Sequence, residues 1–287
     1  MSYEVRTVEN GDNPFPRRME KIKPRVDKLY YKGAFDEKLF ENCLAVVGTR
    51  RITEYGRNIT KRLVHEVAGA GVTIVSGFMF GVDAESRRAS LEVGGRTIAV
   101  MPCGIDLITP AYQEELYYEI LENNGCVLSE LDGDSPPAKW TLARRNRIVA
   151  GLSQATLIIE GGERSGTLIT AEFAKKYGSE LLAVPGPITS NMAAAPNKLI
   201  KEGARVVTCS RDILEAFNMK EVELPSIGGE VNEGLLGKVI NLLRREPLGI
   251  DDIIRKVKVS SSELNIILSE MELAGNIKEK SGKYYAM

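Results

Sequence analysis

The chain holds a single histidine among 287 residues, and that scarcity removes whole classes of chemistry at the outset. His65 falls within RNITKRLVHEVAGAG, an amphipathic helical pattern, and reads as an ordinary helix residue. A multi-histidine metal site is excluded, and neither a Ser-His-Asp relay nor a His-based acid catalyst is expected. Cysteine is scarce too: Cys43, Cys103, Cys126 and Cys209 form no C-x-x-C pair and no zinc-like spacing. The first three sit in or beside apolar runs, where a thiol behaves as a small buried hydrophobe, so reduced core thiols are expected, with no metal and no cofactor. No window approaches roughly 18 consecutive apolar residues, so no membrane span is expected. The opening MSYEVRTVENGDNPFP has no apolar stretch, so no signal peptide and a cytoplasmic compartment are expected. Net charge is −1, so no global field draws a polyanion to the chain, and any nucleic-acid site must be a local concentration of Lys and Arg.

What is present is a long alternation. Residues 1–40 are polar, punctuated by Pro14, Pro16 and Pro24, and read as an extended arm ending in LYYKG with one short helix around Arg17–Ile22. From 41 to 218 apolar runs alternate with helical patterns. LAVVG (44–48), VTIVSG (72–77), RTIAVMP (96–102), CVLSE (126–130), ATLIIEG (155–161), ELLAVPG (180–186) and ARVVT (204–208) read as buried strands. The helical patterns occupy 55–70, 82–93, 111–124, 144–153, 167–177, 196–203 and 211–218. Strands apolar on both faces, each followed by a helix, predict an α/β fold with a mainly parallel sheet covered on two sides. Ligands of such sheets bind beyond the carboxyl ends of the strands. The stretch NMKEVELPSIGGE (219–231) is a linker by composition. Residues 232–287 give three short helices (233–245, 250–257, 261–274) and a terminal hairpin, the layout of a winged helix. There is no internal repeat and no low-complexity segment.

The strand ends carry the unusual chemistry. Gly48-Thr49-Arg50-Arg51 follows the first strand and precedes a helix, offering close backbone approach, free N–H donors and two guanidinium forks. It is neither G-x-G-x-x-G nor a Walker A sequence, and a tight turn with solvated arginines fits it equally. The second strand ends in Ser76-Gly77, with Asp83 near the start of the next helix, where it also serves as an ordinary helix-start residue. After the fifth strand, Arg164, Ser165, Gly166 and Thr167 stand at a helix start as an anion cradle. The sixth strand ends in Pro185-Gly186-Pro187, with Asn197 and Lys198 on the following helix. Four such loops at one sheet edge favour a phosphate-bearing ligand. KWTLARRNRIVAGLS adds Lys139, Arg144, Arg145 and Arg147 with Asn146 between them, the best local basic patch, with a solvated helix start as the competing reading. Trp140 beside it is expected in the core.

These motifs, in order, resemble the DprA/Smf (DNA processing protein A) family: GTRRITEYG, VSGFMFGVD, GGRTIAVMPCGID, LSE, RRNRIVAGLS, ERSGTLITAE, AVPG and NKLIKEGA. The similarity runs from about residue 14 to 218, and the C-terminal segment resembles the family's winged helix. The small helical domain often found at the family's N-terminus is not expected in this chain. The resemblance implies an extended Rossmann-like fold that forms a homodimer, binds and protects single-stranded DNA, and loads a RecA-type recombinase in natural transformation. It implies no catalytic residues. The implied DNA contacts are Gly48, Thr49 and Arg50, the Arg145–Arg147 neighbourhood, and Arg164, Ser165, Gly166 and Thr167.

The sequence departs from the family pattern at several places. Met79, Phe80, Ser86 and Arg87 interrupt the second loop, where a bulky Met-Phe pair would reshape the pocket. Pro102 replaces a glycine, and Leu142-Ala143 replaces a Phe-Pro pair. Within 232–287 there are nine Lys+Arg and eight Asp+Glu, and the third helix, SSSELNIILSEMELAG, has three glutamates and no cation. A helix reading duplex DNA presents basic or amide side chains, so this module is expected to contact protein or to pack. The alternative function is a nucleotide sensor or a LOG-type phosphoribohydrolase, whose loop is partly echoed by Gly161, Gly162, Gly166, Thr167 and Glu172. A purely structural adaptor would leave the glycine loops without a purpose.

Overall fold

The computed structural model describes residues 3–219, 235–273, 275–280 and 282–286. The chain divides into two compact units, Met1–Val222 and Glu223–Met287. In the first, strands β1 (Arg6–Glu9) and β2 (Lys28–Gly33) precede a short helix α1 (Glu37–Glu41). The alternation then runs β3 (Cys43–Val47), α2 (Glu54–Gly69), β4 (Thr73–Gly77), α3 (Val82–Leu91), β5 (Thr97–Val100), α4 (Glu114–Glu122), β6 (Cys126–Ser129) and α5 (Lys139–Leu152). It continues through β7 (Ala155–Ile158), α6 (Gly166–Tyr177), β8 (Glu180–Ala183), α7 (Ala194–Lys201), β9 (Arg205–Val206) and α8 (Ser210–Leu214).

The nine strands form one sheet in the order β1-β2-β6-β5-β4-β3-β7-β8-β9. From β6 to β9 every pairing is parallel, whereas β1 and β2 run antiparallel at the other edge. The order reverses about β3, which pairs with β4 on one side and β7 on the other, so the switch point of this Rossmann-like sheet lies at the carboxyl end of β3. The predicted mainly parallel α/β core is therefore present. The arm expected at 1–40 is not one over its described residues, 3–40: β1 and β2 extend the sheet, and Met19, Ile22 and Leu29 are wholly buried. The 3-10 turn Arg17–Lys21 stands where a short helix was expected.

Alternation across the pleat supplies two cores. Cys43, Ala45 and Val47 face α5 and α6, together with Ile148, Val149 and Ala174. Leu44 and Val46 face Leu63, Val64 and Val67 of α2 and Val82 of α3. A third cluster packs Ala99, Met101 and Val127 against Leu116 and Ile120 of α4. The helix expected at 144–153 begins five residues earlier, at Lys139, because Thr141 closes the turn by accepting from the Ala138 amide at 2.8 Å and donating to its carbonyl at 2.9 Å.

In the second unit α9 (Leu235–Arg245), α10 (Ile250–Val257) and α11 (Ser261–Leu273) pack around Val239, Leu243, Ile253, Leu264 and Leu268. They are followed by the hairpin β10 (Ile277–Lys280) and β11 (Lys283–Ala286). This is the winged helix expected from the sequence. The linker expected at 219–231 lies outside the described residues beyond residue 219. Among the described residues no helix is long and apolar enough to cross a membrane, and no group of three His, Cys, Asp or Glu could hold a metal ion. Cys43, Cys103 and Cys126 are buried and unpaired, as expected.

Candidate functional site

A cleft of about 440 Å³ opens at the carboxyl ends of β3 and β4, bounded by the first turns of α5 and α6. Its position is the one that the reversal of strand order about β3 dictates.

One wall is the loop that follows β3. Its backbone is pinned from two sides: the Thr49 amide donates to the Glu160 carbonyl at 2.8 Å, and the Val82 amide donates to the Thr49 carbonyl at 3.2 Å. Gly48 permits this closeness, since a Cβ there would lie 2.3 Å from Cγ2 of Val82. Gly81 permits it from the other side: its φ is +69°, and a Cβ would fall 2.2 Å from the Thr49 carbonyl oxygen. On this fixed backbone Arg50 and Arg51 are exposed and border the cleft. Neither forms an ion pair within 4 Å among the described residues, so both guanidinium groups can meet an anion.

The helix that follows this loop does not offer its N-terminus to a ligand, contrary to the sequence expectation. The buried carboxylate of Glu160 accepts from the Thr53 amide at 2.9 Å and from the Thr53 hydroxyl at 2.6 Å, while Thr53 caps α2 through the Gly56 amide. The protein's own carboxylate thus occupies the positive end of the helix dipole. Gly56 leaves room for it, since a Cβ would meet Oε2 of Glu160 at 2.3 Å.

The floor is Arg145, only 6% exposed yet bordering the cleft. Its Nη1 donates to the Val100 carbonyl at 2.6 Å, and its buried Nε has no hydrogen-bond partner among the described residues. Asp83 lies nearby, half-buried at the start of α3. Burial raises its carboxyl above the ordinary value, with Arg145 and Arg87 pulling the other way. Arg87 is wholly buried: it donates to the Gly77 carbonyl and lies 4.9 Å over the Phe78 ring. Burial lowers its pKa, with Asp83 opposing. Two arginines and one carboxylate therefore lie behind the second loop, an arrangement that the departures at Ser86 and Arg87 concealed in the sequence.

The far wall is the start of α6. Ser165 caps it, accepting from the Thr167 amide at 3.2 Å, and its hydroxyl lies 2.8 Å from that of Thr167. Ser165, Gly166 and Thr167 border the cleft, while Arg164 is exposed beside them outside its lining. Lys139 and Asn146 complete the polar rim. Met79 and Phe80, the bulky pair expected to reshape the pocket, line it together with Leu142 and Ile169 and give it an apolar side, to which the sequence reading had not assigned Ile169. The available signal was the Met-Phe pair ahead of Gly81, at a strand end where small residues were expected.

Several expected residues are elsewhere. Arg147 is 1% exposed and pairs with Glu130 at 2.5 Å, so it is a core cation and not a phosphate contact. Arg144 shares the same carboxylate at 2.9 Å. Successive helix positions are about 100° apart, so Arg144, Arg145 and Arg147 cannot form one patch. Ser76 is buried and donates to the Val46 carbonyl at 2.9 Å, beneath the cleft. Asn197 is spent on the Gly186 turn, donating to its carbonyl at 2.9 Å and accepting from its amide at 3.2 Å. Lys198 lies 3.9 Å from Glu202. None of Gly186, Asn197 and Lys198 lines the cleft. Trp140 is not in the core: it is 59% exposed on the first turn of α5.

Known proteins share this architecture. The profile of the family described as DNA recombination-mediator protein A matches residues 6–218, and that of the DprA winged helix domain matches residues 230–283. The DNA processing protein DprA of Bacillus subtilis is 33% identical over 76% of this chain and 73% of its own. The crystal structure of DNA processing protein A from Streptococcus pneumoniae superposes with a TM-score of 0.69 at 32% identity, covering 74% of each chain. That of Helicobacter pylori, described for its single-stranded DNA binding mode, gives 0.67 at 32% identity over 75% of this chain and 96% of the other.

Proposed function

The chain belongs to the DprA/Smf family of DNA recombination mediators, and from that premise we propose that it binds single-stranded DNA in the cleft between β3, β4 and the starts of α5 and α6. The observation that carries the reading is Arg50 and Arg51: two exposed cations without an ion pair among the described residues, held on a backbone fixed by Gly48, Gly81 and Glu160. Cations placed on phosphates release counterions, which is how a chain of net charge −1 can still hold a polyanion. Arg145, Lys139, Asn146 and the Ser165–Thr167 turn are the further contacts, with Arg164 exposed beside that turn. On this reading the protein acts in the cytoplasm, as a homodimer that protects the strand and hands it to a RecA-type recombinase. Natural transformation is one process that would use it.

A phosphoribohydrolase reading finds less support. Both carboxylate oxygens of Glu160 are bound by Thr53, and Glu172 is exposed on α6 away from the cleft lining.

The test is a salt titration of binding to single-stranded DNA, duplex DNA and a mononucleotide. Single-stranded DNA should bind tightest, and Arg50→Ala and Arg51→Ala should each weaken it and flatten the salt slope by about one phosphate's worth. Unchanged affinity in both variants, or tight saturable binding of the mononucleotide alone, would overturn the assignment.

A further inference from the structure

Beyond the phosphate contacts, we propose that Phe80 and Tyr112 form a stacking platform for the bases of the bound strand, an inference that rests on the single-strand reading of the cleft. The two rings are parallel to within 4°, with centroids 5.4 Å apart. Both are exposed, Phe80 by 40% and Tyr112 by 65%. Exposed apolar side chains usually occur singly; a parallel pair, both rings exposed, is a preformed aromatic surface.

Its place relative to the cations identifies the occupant. Phe80 lines the cleft and Tyr112 does not, so the pair leads outward from the phosphate site. Beneath Phe80 the backbone is fixed, because Gly81 packs against the loop bearing Arg50. Beneath Tyr112 the 3-10 turn Ala111–Gln113 is anchored by Gln113, which is 1% exposed. Fixed rings beside exposed arginines are the two components that hold single strands without reading sequence: cations track the backbone and π-faces take the bases. Duplex DNA already stacks its bases on one another and offers no free face to such rings, so the platform would also select single strands over duplex.

The experiment compares binding of the full chain to an oligothymidylate and to an abasic strand of equal length, which keeps every phosphate and removes every base. The chain should prefer the base-bearing strand by about tenfold or more. Tyr112→Ala should remove most of that preference by weakening the base-bearing complex, with the abasic complex unchanged, and Tyr112→Phe should restore it. Phe80→Ala should also weaken the base-bearing complex. An unchanged ratio of the two affinities in Tyr112→Ala would overturn the platform. Arg50→Ala separates this from failure of the cleft itself. Abasic binding that depends on Arg50, with a ratio indifferent to Tyr112, removes the platform and leaves the cleft. No binding of either strand removes both.

Discussion

Gly77 and Arg145 exclude any side chain between them: a Cβ at position 77 would lie 2.0 Å from Nη1 of Arg145 and 2.3 Å from its Cζ. The glycine that ends β4 is therefore there for the arginine of α5, which in turn reaches across to the Val100 carbonyl at 2.6 Å. Gly77→Ala must push the guanidinium out of its seat. The expected cost is about 1–3 kcal/mol of stability from overpacking, together with weaker single-strand binding because Arg145 no longer lies on the cleft floor. Denaturant unfolding and strand binding on the same variant check this, and a variant matching the parent in both would refute it.

Arg147 sets a contrast with its neighbour Arg144. Both reach Oε1 of Glu130, but Arg147 is 1% exposed and Arg144 is 42% exposed. Removing Glu130 leaves a buried guanidinium without its carboxylate, so Glu130→Ala should cost about 3–5 kcal/mol. Arg144→Ala breaks only the exposed half and should cost under about 1 kcal/mol. Equal shifts of the urea midpoint in the two variants would mean that Arg147 is not held as described.

The contrast also shows which parts of the fold were legible in the sequence. Buried parallel strands announce themselves, because Cys43–Val47 and Thr73–Gly77 are buried at every position and so read as continuous apolar runs. β1 is different: only Val8 of its four residues is buried, and one valine among polar neighbours carries no period. Three arginines in RRNR look alike as letters, and only the helix assigns one to the cleft, one to the core and one to an exposed ion pair with Glu130. Glu160 is invisible for another reason, since its partner Thr53 lies 107 residues away. The glycine loops were legible because close backbone approach leaves few alternatives to glycine, yet Asn197 shows that a loop of this type can be closed on itself.

Asp83 gives the cleft a pH dependence. Burial holds its carboxyl above the ordinary value of 3.8, despite Arg145, Arg87 and Arg50 nearby. A carboxylate whose folded-state pKa is raised costs stability while ionised, and that cost is relieved as pH falls through the folded-state pKa. Protonation also removes a negative charge from beside Arg145 and Arg50, so single-strand affinity should increase as pH falls toward that pKa. Asp83→Asn should bind more tightly at neutral pH and lose this pH dependence. A pH profile of binding identical in parent and variant would show that Asp83 does not govern the cleft's charge.

The thiols should divide sharply. Burial pushes Cys43 up to about 12 and Cys103 to about 11, with Cys126 well above 9.0. A thiol held protonated at neutral pH is a poor nucleophile. Cys209 alone is partly exposed. An alkylating reagent applied to the native protein should therefore modify one site, found by mass spectrometry at Cys209, with all four modified only in denaturant. Early labelling of Cys103 in the native protein would contradict its burial behind the cleft.

The winged helix should not read duplex DNA. In α11, the third helix of the module, Glu263, Glu270 and Glu272 are exposed, and Ile266 is 61% exposed among them. A helix presented to a groove approaches a row of phosphates, and three carboxylates there repel them while an exposed isoleucine contributes no hydrogen bond to a base edge. The module's nine cations, balanced by eight acidic residues over 232–287, lie outside this helix. The same surface suits a protein, since an apolar centre ringed by charge is how many protein contacts are built. A chain ending at Val222 should therefore keep the full single-strand affinity. The module alone, whose helices and hairpin close on their own core, should show no measurable duplex binding at about 150 mM salt. Duplex affinity in the module, or loss of strand binding on truncation, would move part of the DNA site onto the winged helix.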